Sequence, residues 1–211
     1  MAGGASVIED DSILSRLDKS LYKLESKLAL VSGLAIFSLM FLAVFSVGGR
    51  NLFNAPLPGY IDWIEQAMPL IAFMGISYTQ RDGGHIRMDI LVGALRGRPL
   101  WAAEFITTLL MLALMILLIW GTFSHFLRAF DFNAVWWSRD SSMDIAIPLW
   151  PAKLLAPVAF SVLALRLVLQ LWGFGRAFIW GLSSPVAVPL VQSAAAQAAE
   201  EAMHVMDGGN S

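Results

Sequence analysis

"LALVSGLAIFSLMFLAVFSV", residues 28–47, contains no charged residue, and the nearest charges on either side are Lys27 and Arg50. A helix rises 1.5 Å per residue and a bilayer's hydrocarbon core is about 30 Å thick, so about 20 apolar residues make one crossing. The stretch is one crossing long. The composition around it agrees: 57% of the 211 residues are hydrophobic and 14% charged, against roughly a quarter charged in ordinary globular domains. The expected fold is an all-α integral membrane protein.

Three further stretches extend this reading. Trp101 and Trp120 enclose "AAEFITTLLMLALMILLI", and on a helix their indoles lie about 28 Å apart, the spacing of the two aromatic belts of a bilayer. Residues 147–174 are apolar apart from Lys153, Arg166 and Gln170. The two cations are expected to snorkel toward opposite interfaces, being roughly 20 Å apart on a helix. Residues 61–80, "IDWIEQAMPLIAFMGISYTQ", form the most polar candidate. Asp62, Glu65, Gln66 and Pro69 make one stripe that continues through Phe73, Ser77 and Gln80, and such a stripe should turn from lipid toward protein or water. Alternatively, Asp62 and Glu65 sit at headgroup level. Residues 177–199 carry no charge, but Pro185, Pro189 and many Ala, Ser and Gln residues mark them as a tail rather than a fifth span.

The N-terminal stretch lacks the basic-then-apolar order of a secretory signal. Ile13, Leu14, Leu17, Leu21, Leu24 and Leu28 recur at helical spacing, with Lys19, Lys23 and Lys27 opposite, which predicts an amphipathic helix on the membrane surface. The resulting division is a cytoplasmic N-terminus over 1–27, spans over 28–48, 61–80, 100–124 and 147–174, periplasmic loops over 49–60 and 125–146, a cytoplasmic connection over 81–99, and a cytoplasmic tail over 175–211. Nine cations then fall on one side (Arg16, Lys19, Lys23, Lys27, Arg81, Arg87, Arg96, Arg98, Arg176) and four on the other (Arg50, Arg128, Arg139, Lys153). The positive-inside rule puts both termini in the cytoplasm. Within "RDGGHIRMDILVGALRGRPLW", residues 81–101, Gly83 and Gly84 end a helix and Ile86, Ile90, Leu91 and Leu95 suit a short interfacial one.

Enzyme chemistry finds little support. His85 and Asp89 lie one helical turn apart, as two metal ligands or a proton relay could, yet His125 and His204 are the only other histidines and no cysteine is present. His-Ile-Arg-Met-Asp is one residue short of an HX4D acyltransferase motif, and GxSxG, HExxH, phosphate-loop and repeat patterns are missing. No cofactor is expected. The rival reading is a small stand-alone membrane enzyme using Glu65, His85 and Asp89. With a net charge of −2 and scattered cations, no nucleic-acid partner is expected.

Three segments in order carry a family resemblance: "RNLFNAPLPGYIDWIEQ", "QRDGGHIRMDIL" and "DIAIPLWPAKLLAPVAFSVLALRLVLQL". Over roughly residues 20–173 the chain resembles the small permease subunit of tripartite ATP-independent periplasmic (TRAP) transporters, the DctQ family. The resemblance implies a four-helix subunit of the bacterial inner membrane that pairs with a large permease subunit holding the substrate and sodium sites. A periplasmic substrate-binding protein would deliver an organic acid. The small subunit would enlarge the static scaffold and help dock that receptor. Partner or phospholipid interface candidates are then Arg50, Asp62, Glu65, Gln66, Arg81, His85, Arg87, Asp89, Trp150, Lys153 and Arg166.

Overall fold

A computed structural model describes residues 13–55, 57–81 and 98–180. Its elements are α1 (Ile13–Phe53), α2 (Tyr60–Met74), α3 (Ile76–Arg81), α4 (Arg98–Ala129), a single 3-10 turn (Val135–Trp137) and α5 (Trp150–Trp180). Among the described residues the only β pairing is two isolated bridges, Phe130 with Ser138 and Ser141 with Pro148. Among the described residues three helices are long and apolar enough to cross a membrane: α1, α4 from Pro99, and α5.

α1 differs from expectation. It continues unbroken past Lys27 and Leu28 for 41 residues, about 60 Å and twice the hydrocarbon thickness. From Ile13 onward the expected surface-lying helix is therefore the first part of the same rod. Its leucine stripe is not uniformly the packed side: Ile13, Leu17 and Leu24 are exposed, Leu21 and Leu28 are half-buried, and Leu14 alone of the stripe is buried. The other buried residues of α1 are Ser15, Asp18, Glu25, Ser32 and Ser46. Asp18, Glu25, Ser32 and Ser46 fall at steps of seven or fourteen, one helical face. Small and polar residues let membrane helices approach and bond, whereas leucine gains nothing from leaving lipid tails.

α2 and α3 form a nearly continuous pair. Pro69 sits inside α2 and removes one backbone donor. Gly75 separates the two, with right-handed backbone angles (φ −86°, ψ −13°), and Thr79 N–H donates to its carbonyl at 3.1 Å. Ser32 Oγ donates to Ile71 O at 3.1 Å and Ser77 Oγ to Glu25 Oε1 at 2.5 Å, so this pair runs antiparallel to α1. It runs in the same direction as α5: Gln66 Nε2 donates to Pro148 O at 2.6 Å, the Phe73 and Phe160 rings meet at 5.2 Å, and Gln80 Nε2 donates to Gln170 Oε1 at 2.9 Å.

α5 is the centre of the bundle, packed against all four other helices. In its most apolar 18-residue stretch 56% of residues are buried, against 6% in α1 and 11% in α4, which leaves the outer faces of those two for lipid or another protein. α4 lies antiparallel to α5, with Trp101 stacked on Phe174 at 6.2 Å at one end and Phe126 against Trp150 at 6.5 Å at the other. α4 continues to Ala129, and α5 begins at Trp150 rather than 147 and reaches Trp180. Pairing of Pro148 with Ser141 holds residues just before α5 extended, and Pro151 then falls in the first turn, where a missing N–H costs no intrahelical bond. The short interfacial helix expected within 81–99, with His85, Arg87 and Asp89, and the tail beyond Trp180 lie outside the described residues.

Candidate partner and lipid interface

Arg166 has an environment different from the one its sequence context suggests. Its side chain is fully buried and does not snorkel. Its Nε donates to Glu25 Oε1 at 2.8 Å and its Nη2 to Glu25 Oε2 at 2.5 Å, a bidentate fork, while Nη1 donates to Asp18 Oδ1. On Asp18, Oδ2 accepts from Arg81 Nη2 at 2.9 Å. The Arg81 guanidinium also lies 4.0 Å from the centre of the Tyr22 ring. Two carboxylates thus face two guanidiniums and the group is neutral. A bidentate carboxylate with a third acceptor removes the reason for a buried arginine to reach for water. Charged side chains of α1, α3 and α5 therefore do converge. They neutralise one another rather than leaving a net charge for an ion.

The opposite end of α2 is held to the loop between α4 and α5. Asp62 is buried, and its Oδ2 accepts from Ser142 Oγ at 2.7 Å, Asp144 N–H at 3.1 Å and Ile145 N–H at 2.8 Å. Gly59, just before α2, has φ +68°. A Cβ there would stand 2.4–2.8 Å from the Ile145 side chain, so glycine is required where the loop crosses the helix start. Farther along the loop, Asp131 Oδ2 accepts from Arg139 at 3.0 Å and Asp140 Oδ2 from Lys153 at 2.5 Å. The backbone N–H of Asn133, followed by Arg139, holds the Asp131 carboxyl below its ordinary range. The bond from Lys153 does the same for Asp140. Trp150 Nε1 donates to Trp136 O at 3.0 Å.

Between α2, α4 and α5 lies a cavity of about 470 Å³, lined by residues including Glu65, Phe73, Gly121, His125 and Lys153. The sequence-derived interface candidates therefore fall into separate places. Asp62, Gln66, Arg81, Trp150 and Arg166 make contacts within the chain. Glu65 and Lys153 line the cavity, and Arg50 borders a smaller recess with Tyr60 and Asp144. Of the rival enzyme triad, only Glu65 is among the described residues, and no group of three His, Cys, Asp or Glu side chains gathers there as a metal site would need. Sequence reasoning missed Asp18 and Glu25. Their signal was the seven-residue step shared with Ser32, two helical turns that align both carboxylates on one face.

Taken together, apolar outer faces, an internally neutral charge cluster and a clamped loop define a helical membrane subunit. A family model described as "Tripartite ATP-independent periplasmic transporters, DctQ component" matches residues 36–176. The chain belongs to this family, the small permease subunit of those transporters. No curated protein matches it.

Proposed function

We propose that the chain is the four-span scaffold of a sodium-coupled TRAP transporter for organic acids. It would sit in the inner membrane with both termini cytoplasmic, brace a large permease subunit and help dock the periplasmic substrate-binding protein. The observation that carries the scaffold role is how the charges are used: Arg166 and Arg81 face Asp18 and Glu25, tying α1, α3 and α5 into one body. A rigid bundle with apolar outer faces suits a static brace for a moving partner. A fourth crossing by α2 and α3 is supported by their register with α5, because contacts from Gln66 with Pro148, just before α5, to Gln80 with Gln170 run along about 20 Å of α2 and α3.

The test is reconstitution of the large subunit with and without this chain in proteoliposomes, with the receptor supplied outside. Uptake of an organic acid that needs both chains and follows the sodium gradient is expected. Full uptake by the large subunit alone would refute the scaffold role.

A further inference from the structure

We propose that the cavity between α2, α4 and α5 is a phospholipid site, taking one acyl chain of a zwitterionic, ethanolamine-type lipid with its headgroup beside Glu65, His125 and Lys153. The lining is graded along the helices. Glu65, His125, Leu149 and Lys153 stand at the end that adjoins the α4–α5 loop, whereas Phe73, Leu117 and Leu118 lie farther in. Eight residues separate Glu65 from Phe73 and His125 from Leu117, so the apolar part extends about 12 Å below the polar rim. A slot that is polar at one end and apolar for that depth matches the headgroup-to-chain polarity of a lipid.

The floor is cut by small residues. Gly121, Ala152 and Ala156 line it, and a Cβ added at Gly121 would meet no atom within 4 Å. Thr122 directs its hydroxyl back to Leu118 O at 2.6 Å. With that donor engaged, the inner part offers few hydrogen-bonding groups, which favours a run of methylenes over an extended peptide segment, whose backbone polar groups would need partners.

Charge at the rim selects the headgroup. Glu65 is exposed there and Lys153 donates one hydrogen bond to Asp140, while an ammonium carries three donors. An acid and a cation on the same rim match an ammonium and a phosphate on one headgroup. A singly anionic glycerol headgroup would leave Glu65 facing negative charge. The proposed disposition enters only in assigning the lipid to the periplasmic leaflet.

The experiment is lipid retention by the complex of this chain with its large subunit, exchanged into nanodiscs of equal parts phosphatidylethanolamine and phosphatidylglycerol, re-extracted in mild detergent and measured by mass spectrometry. Wild type should retain the ethanolamine lipid over the glycerol lipid. Gly121→Leu fills the slot and replaces a poor helix former with a good one, so the protein should fold and lose the retained lipid by about tenfold, equivalent to 1.4 kcal/mol of binding. Glu65→Gln should keep a bound lipid but lose the headgroup preference. A photo-crosslinking residue at Leu117 should label lipid. Equal retention in wild type and Gly121→Leu, or a crosslink to the large subunit in place of lipid, would overturn the site. Lipid retention combined with a cytoplasmic reporter reading after residue 135 would support the site and refute the proposed topology, so the two failures are separable.

Discussion

Arg166 and Glu25 are 141 residues apart in sequence, yet their side chains form a two-point ion pair at 2.8 and 2.5 Å, out of contact with solvent. This pair joins α1 to α5. Removing one member of a buried pair leaves the other uncompensated, typically at about 3–5 kcal/mol, whereas apolar replacement of both can be neutral. Arg166→Leu and Glu25→Leu should each lower the yield and thermal midpoint of folded protein in detergent. The double substitution should recover part of that loss, although Asp18 then keeps only Arg81. A double variant no better than the worse single one would show that the pair does not act as a unit.

Asp62 should behave as a loop fastener. Its three donors come from residues 142, 144 and 145, and Met143 between them is fully exposed. Asp62→Ala removes all three bonds at once. Limited proteolysis should then cut near Met143 faster than in wild type, with α-helical content unchanged. Identical cleavage rates would mean that the other loop contacts suffice.

Acid should loosen the same loop by a second route. Hydrogen bonds from Lys153 to Asp140 and from Asn133 and Arg139 to Asp131 hold both carboxyls below their ordinary range. Such groups contribute stability above the unfolded-state value and lose it as pH falls through the lower folded-state value. Loop order, followed by tryptophan fluorescence, should therefore be flat from neutral pH down to the ordinary aspartate range and decline below it. Asp140→Asn should show a smaller decline; an unaltered acid transition would exclude Asp140 as a contributor.

The proposed topology rests on the nine-to-four distribution of Lys and Arg. Reporter fusions after residues 55 and 135 should read periplasmic, and those after 90 and 205 cytoplasmic. A periplasmic signal at 205 would require a further crossing beyond α5.

The connection around His85 and Arg87 should matter for assembly and not for coupling. Juxtamembrane cations contribute about 1 kcal/mol each at an anionic surface. His85→Ala and Arg87→Ala are expected to reduce the complex recovered while substrate preference and the sodium dependence of remaining uptake stay unchanged. Normal amounts of complex with an altered sodium response would place this stretch in the coupling mechanism.

That the chain is a helical membrane protein, and where three of its helices lie, is legible in the residues alone. Uninterrupted apolar length is a local property, and the bilayer demands it of each crossing separately. Family membership was legible for a similar reason, since the "GGHIR" and "PLWPAK" runs are local strings. The destination of the charges was not legible. Asp18 and Glu25 are not singled out in the sequence and Arg166 is expected there to snorkel; only the packing of α1 beside α5 decides that the three meet. The same packing changed the reading of α1, leaving Ile13, Leu17 and Leu24 outward and turning Asp18, Glu25, Ser15, Ser32 and Ser46 inward. Asp18, Glu25 and the buried serines must find polar partners, and those pairings, rather than the spacing of the leucines, set which face of α1 is buried.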